Sequence, residues 1–403
     1  MLLKDTGRSA QDIKDIVGKY MIETYKRFDF IAERAEGHYL YTETGEKYLD
    51  FYGGVAVNNI GSCHPKVVEA IREQAGQVIH TFNYPYTIPQ ALLAERVCEA
   101  LGFDKIFYQN SGTEANEAMI KLARKYGIEK YGPNRYEIIT GKGSFHGRTF
   151  GSLTATGQPD GVLHKNFGPM LPGFKYATYG DLKAFEDAID ENTVGILLEP
   201  IQAEGGVMVP TTEFMKGIEA LCKKHGLLLM CDEIQTGWCR TGEVMGYMNY
   251  GIKPDMISMA KGIGGGMPIG ALCTTNELAE VFNAGAHGTT YGGNAVCCAA
   301  AYAQVGVLLD EDYAGKAKEV GNYFMEKLKT MPRVKDVRGM GLLVGVELDG
   351  PIAAEVKEIA IKHKLLTTSI GASIIRMVPP LTISKEDCDE AIRVLTIAIN
   401  EVA

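Results

Sequence analysis

The chain has 403 residues, 46% hydrophobic and 23% charged, enough for one large domain and a smaller companion, each with its own core. A formal net charge of -9 disfavours nucleic acid or an anionic membrane as the main partner, and no segment reaches the roughly 18 uninterrupted apolar residues of a membrane helix. Nine cysteines without paired spacing read as reduced thiols in a cytoplasmic protein, not as a disulfide framework or a zinc site.

Near the N-terminus Lys4, Asp5 and Arg8 interrupt any signal-peptide core, and Ser9 is placed to cap a helix. Residues 30–58 read as short strands, with Gly45 turning the chain between Tyr39-Leu40-Tyr41 and Tyr48-Leu49-Asp50-Phe51. From about 59 to 299, strand-like runs alternate with helical patterns. The runs include Lys105-Ile106-Phe107-Tyr108, Glu137-Ile138-Ile139-Thr140, Gly195-Ile196-Leu197-Leu198, Leu227-Leu228-Leu229-Met230-Cys231 and Met256-Ile257-Ser258-Met259-Ala260. Such alternation predicts an α/β fold with a mainly parallel sheet between helices. Beyond Asn294 a helix, the run Leu342 to Val346, a helix near 351–363 and a last helix from Ser384 read as a smaller α+β lobe. The expected organisation is a small-domain segment over 1–58, a large domain over 59–299 and the rest of the small domain over 300–403.

Lys261 ends an uncharged strand and opens the turn Gly262-Ile263-Gly264-Gly265-Gly266. A lysine there is poorly solvated, which lowers its pKa and lets it form a Schiff base with a carbonyl compound. Taken alone, a strand-end lysine also reads as a plain solvated charge. Asp232 ends the neighbouring run. A Schiff-base lysine with a carboxylate for a pyridinium nitrogen is the pair that pyridoxal phosphate requires. The glycines do not make a dinucleotide fingerprint, because Met267-Pro268 follows and no helix opens.

Ser111-Gly112-Thr113-Glu114 opens a helix whose apolar stripe runs through Ala115, Ala118, Met119, Leu122 and Tyr126. Ser111 and Glu114 fit a capping box. By itself this is a well-capped helix; a phosphate cradle of free backbone N–H groups is the sharper alternative. In Ser144-Phe145-His146-Gly147-Arg148, Phe145 suits either the core or the face of a flat ring, and Arg148 either solvent or a carboxylate.

The stretches NSGTEANE at 110–117, SFHGRT at 144–149, EPIQAEGG at 199–206, CDEIQTG at 231–237, AKGIGGGMPIGA at 260–271 and HGTTYGGNAV at 287–296 occur in an order that resembles the class III pyridoxal-phosphate aminotransferases of fold type I, over nearly the whole chain. Within the class the chain looks most like the acetylornithine branch. The resemblance implies pyridoxal 5'-phosphate held by Lys261, which also shuttles the proton, with Asp232 at the pyridine nitrogen. Phe145 is expected to stack on the ring, Gln235 to bond near the phenolic oxygen, and Gly112 and Thr113 to take the phosphate. Thr290 of a neighbouring copy would complete that phosphate site, which implies a homodimer with shared sites. Arg148 is expected to hold a substrate carboxylate, with Thr289 nearby, and Glu204 to pair with Arg376 as a gate for glutamate.

Position 55 is Val, where free-ornithine enzymes of the class carry a tyrosine for the substrate's α-amine. Ala203, Trp238-Cys239 and Asn83-Tyr84-Pro85-Tyr86 are further departures. The implied reaction moves the terminal amino group of N2-acetyl-L-ornithine to 2-oxoglutarate, as in arginine biosynthesis, with succinylornithine and 4-aminobutyrate as alternative donors. A lyase or isomerase on the same scaffold is the rival enzyme class, separated by its indifference to an amino acceptor. A non-enzymatic binding role sits poorly with the Lys261–Asp232 pair.

Overall fold

The computed structural model describes residues 1–402. In chain order the strands are β1 (Ala32–Glu36), β2 (Tyr39–Thr42), β3 (Lys47–Asp50), β4 (Lys105–Gln109), β5 (Glu137–Gly141), β6 (Phe174–Ala177), β7 (Thr193–Leu198), β8 (Leu228–Asp232), β9 (Met256–Met259), β10 (Gly270–Thr274), β11 (Val334–Met340), β12 (Leu343–Leu348), β13 (Leu365–Leu366), β14 (Thr368–Ile370) and β15 (Ile374–Met377). A seven-stranded sheet has the order β4-β10-β9-β8-β7-β5-β6. The pairings from β9 to β6 are parallel. β10 runs antiparallel to both β9 and β4, so the expected mainly parallel sheet carries one reversed strand.

β7, β8 and β9 are buried along their whole length. A strand covered on both faces favours apolar residues at successive positions, which is why these sequences run nearly continuously instead of alternating; the buried polar exceptions, Thr193, Asp232 and Ser258, are each hydrogen-bonded. Successive side chains still point to opposite faces. Met230, Met256 and Leu272 pack with Met119, Leu122 and Tyr126 of the helix Gly112–Tyr131. Leu229, Cys231, Ile257 and Met259 pack the other way, in the cluster that holds Phe214, Ile218, Cys297 and Ala301.

β1, β2 and β3 form an antiparallel meander, and β13 joins β3 in parallel with Leu365 opposite Leu49. Strands from near the two ends of the chain therefore share one sheet. A separate antiparallel sheet has the order β11-β12-β15-β14. Arg240, wholly buried, ties the turn after β8 to this C-terminal region. It donates to the carbonyls of Leu342 at 3.0 Å and Pro379 at 2.5 Å, and to Asn59 Oδ1 at 2.8 Å. These partners are neutral, and burial pushes the guanidinium pKa down to about 9.

Ser9 and Ser384 cap their helices with reciprocal boxes through Asp12 and Asp387. Ser111 caps Gly112–Tyr131, accepting from the Glu114 N–H at 3.3 Å. The Glu114 carboxylate reaches one residue further back, to the Asn110 N–H at 2.9 Å, so the expected capping box is only half made.

Candidate active site

The carboxyl ends of the strands open onto one cavity of about 440 Å³, where ligands of open parallel sheets sit. β8 delivers Asp232, β9 leads through Ala260 to Lys261, β4 is followed by Asn110 to Thr113, and β5 by Phe145 to Arg148. Of the residues singled out from sequence, Gly112, Thr113, Phe145, Arg148, Asp232, Gln235 and Lys261 line this cavity together. Their surroundings explain their chemistry.

Lys261 has φ 47°, a left-handed conformation that costs a non-glycine residue about 1–3 kcal/mol and persists only when neighbours impose it. Burial lowers its pKa; Glu204 opposes that shift and Arg376 reinforces it. Its ammonium makes no hydrogen bond among the described residues. Lys142, in the turn after β5, is exposed.

Asp232 is 3% exposed. Its Oδ2 accepts from Asn116 Nδ2 at 2.8 Å and faces His146 Nδ1 at 2.8 Å, while Oδ1 accepts from the Ile234 N–H at 3.0 Å. Asn116 also donates to the His146 carbonyl at 2.6 Å and accepts from Ser258 Oγ at 2.6 Å. The carboxylate is thus oriented by a closed network from three elements, the kind of support that fixes a reacting group.

Gly112 has no room for a side chain, since a Cβ would lie 2.8 Å from Ile234 Cδ1. At this helix start the Glu114 N–H goes to the Ser111 hydroxyl and the Ala115 N–H to the Ser111 carbonyl. The N–H groups of Gly112 and Thr113 are left for a ligand, at the positive end of the helix dipole.

Glu199 lines the cavity beside Phe145. It accepts from the Phe145 N–H at 2.9 Å and the Ala203 N–H at 3.3 Å. Burial, then the charge of Asp232, raises its pKa well above the usual carboxylate range.

At the cavity edge the Arg376 guanidinium bonds Glu204 Oε1. Gln235 bridges the two, accepting from Arg376 at 3.3 Å and donating to Glu204 at 3.4 Å. Burial pushes the Glu204 pKa up, and Arg376, with smaller help from Lys261 and Gln235, more than reverses the effect, leaving it lowered. Arg148 is exposed, with its guanidinium 5.4 Å from the centre of the Phe145 ring.

Thr289 and Thr290 do not line this cavity within the chain. Thr289 Oγ1 accepts from Asn110 Nδ2 at 3.2 Å and from the Gly292 N–H at 3.1 Å, and Thr290 is exposed beside Phe82 and Tyr291. The sequence reading gave no role to Asn116, His146 or Glu199. Asn116 had a signal: it is a polar residue next to Ala115 on the buried side of its helix. His146 and Glu199 sat inside quoted motifs, but each meets a partner far away in sequence, Asp232 for His146 and the Phe145 N–H for Glu199.

The sequence model of the family described as aminotransferase class-III matches residues 20–399. Over 388 residues, 95% of this chain and 98% of the relative, the chain is 44% identical to a protein named acetylornithine aminotransferase from Caldanaerobacter subterraneus subsp. tengcongensis. It is 41% identical to one of the same name from Methanocaldococcus jannaschii, covering 98% of this chain and 99% of that protein. Among solved structures, an ornithine aminotransferase from Toxoplasma gondii, described with partial occupancy of PLP at its active site, superposes with a TM-score of 0.93 at 30% identity, covering 98% of this chain and 95% of that one. An acetylornithine aminotransferase from Elizabethkingia anophelis gives 0.87 at 30% identity, covering 98% and 100%.

Proposed function

The chain belongs to the class-III aminotransferases, and we propose that it uses pyridoxal 5'-phosphate to move the terminal amino group of N2-acetyl-L-ornithine to 2-oxoglutarate, giving N-acetylglutamate 5-semialdehyde and glutamate. The observation that carries this reading is the half-buried, unbonded Lys261 in one cavity with the braced carboxylate of Asp232.

The cavity fits the cofactor's parts. Lys261 offers an amine of lowered pKa to the aldehyde, and Asp232 keeps a carboxylate for a protonated ring nitrogen. Phe145 supplies a flat apolar face, and the N–H groups of Gly112 and Thr113 suit a phosphate. When bound, the cofactor supplies an electron sink for the carbon that bears the amino group.

The chain's own side chains do the rest. Lys261 Nζ takes the proton from the amine-bearing carbon and returns it. Arg148 holds the carboxylate distal to the reacting amine. Arg376 stays neutralised by Glu204 until glutamate or 2-oxoglutarate brings a carboxylate of its own.

Val55 offers no hydroxyl to a free α-amine, which favours a donor whose α-amine is blocked. The names of the curated relatives support the acetylated donor.

The functional unit is a homodimer in which Thr290 reaches the partner's phosphate site. The apolar side chains Ile79, Tyr84, Tyr86, Ile88 and Tyr291 are exposed, as suits burial against a second copy. No helix is long and apolar enough to cross a membrane among the described residues.

Steady-state rates for N2-acetylornithine, N2-succinylornithine, 4-aminobutyrate and ornithine with 2-oxoglutarate test the assignment. The acetylated donor is expected to have the highest kcat/KM. A higher value for any of the others overturns the substrate, and turnover without an amino acceptor overturns the reaction class.

A further inference from the structure

Asn59 is 1% exposed and meets three separate parts of the chain. Its amide packs against Gly262, the residue after Lys261, so closely that a Cβ on Gly262 would fall 2.4 Å from Asn59 Nδ2. The same Nδ2 donates to the Trp238 carbonyl at 2.7 Å, in the turn that follows Asp232. Oδ1 accepts from Arg240 at 2.8 Å, and Arg240 holds the carbonyls of Leu342 and Pro379. The Asn59 carbonyl accepts from the Leu381 N–H at 2.7 Å. In the same turn, buried Gln304 donates to the Gly262 carbonyl at 3.0 Å.

We propose that Asn59 is a positioning residue for Lys261: with Gln304 it clamps Gly262, holds the preceding lysine in its left-handed conformation, and through Arg240 couples the lysine's aim to the C-terminal region. A left-handed lysine relaxes unless its surroundings prevent it. Here the following residue is held by close packing against Asn59 and by the Gln304 hydrogen bond to its carbonyl, which together oppose unwinding of the turn. Asparagine suits the position because its flat amide fills the space over Gly262 while its two ends bond a carbonyl and a guanidinium. Alanine would leave a gap over Gly262 and an unpaired Arg240 nitrogen.

This inference rests on Lys261 being the cofactor-holding lysine. The test uses the full-length holoenzyme of wild type, Asn59→Ala, Gln304→Met and Leu395→Ala, the last a buried change in the helix Lys385–Glu401 that serves as a control for destabilisation. Visible absorbance of the bound cofactor is titrated with pH, and Lys261 labelling by an amine reagent is titrated in cofactor-stripped full-length protein by mass spectrometry. Asn59→Ala and Gln304→Met are each expected to move both midpoints by about half a pH unit or more. Each is also expected to lower kcat per bound cofactor by about tenfold, with KM for 2-oxoglutarate unchanged. Leu395→Ala is expected to lower Tm and leave both midpoints at the wild-type values.

Wild-type midpoints and kcat in Asn59→Ala, with Tm lowered as in Leu395→Ala, would overturn the proposal. If Asn59→Ala yields no folded protein, Gln304→Met decides alone by the same criterion, since it removes the other half of the clamp at nearly constant volume. A Lys261→Ala control that keeps the visible absorbance overturns the assignment of the lysine itself. Loss of absorbance in that control, with unmoved midpoints in the clamp variants, overturns only the clamp.

Discussion

His146 Nδ1 lies 2.8 Å from Asp232 Oδ2, and both groups are shut away from solvent. Asn116 donates to the same oxygen, so the carboxylate is aimed from two sides before any ligand arrives. Preorganisation of this kind spares the reaction the work of turning a charge into place.

Asp232→Asn is therefore expected to fold and bind cofactor with a lowered Tm, because an amide fills the same space but its Nδ2 cannot accept one of the hydrogen bonds from Asn116 and the Ile234 N–H. Its kcat is expected to fall about 100-fold or more, since an amide cannot support a protonated ring nitrogen. Cofactor stoichiometry and single-turnover rates check this, and near-normal turnover would remove Asp232 from the mechanism.

Lys261→Ala is expected to give a protein without the yellow of bound cofactor and without transamination. Lys142→Ala is expected to keep both, because Lys142 is exposed to water in its turn. Absorbance spectra and rates of the two variants decide which lysine carries the chemistry.

The gate at Glu204 and Arg376 separates the two half-reactions. Arg376→Ala is expected to cut kcat/KM for glutamate and 2-oxoglutarate roughly 10- to 100-fold, the worth of a charge-assisted contact, and to spare the N2-acetylornithine half. Arg148→Ala is expected to weaken both halves. Stopped-flow kinetics of each half-reaction read this directly. Equal losses in both halves for Arg376→Ala would sink the gate.

Thr290 lies outside the Lys261 cavity of its own chain. Mixing inactive Lys261→Ala with an inactive Thr290→Val chain is expected to restore some activity, because one of the two hybrid sites carries both wild-type residues. Hybrids shown to form by mass, yet inactive, would mean that each site is built from a single chain.

Residue types and their order along the chain were enough to give the α/β architecture, the buried strands and the Lys261–Asp232 pair. Continuous apolar runs such as Leu228 to Cys231 can be satisfied only between two layers of helices, and a charged residue at the end of such a run stands out against it. Local signals also located the caps at Ser9 and Ser111 and the start of the last helix at Ser384, since a helix start depends on residues three or four positions apart.

Only the tertiary structure decided what surrounds each of these residues. The Asn116–Asp232–His146 network joins a helix, a strand end and a loop that are far apart in sequence, and no short-range pattern encodes their meeting. The reversed direction of β10 follows from the turn at 264–269, whose backbone path the glycines permit without dictating. Asn59 reads in sequence as one loop asparagine among many. Its place between Gly262 and Arg240 exists only because Arg240, which also bonds the carbonyls of Leu342 and Pro379, is brought beside the turn that carries Lys261.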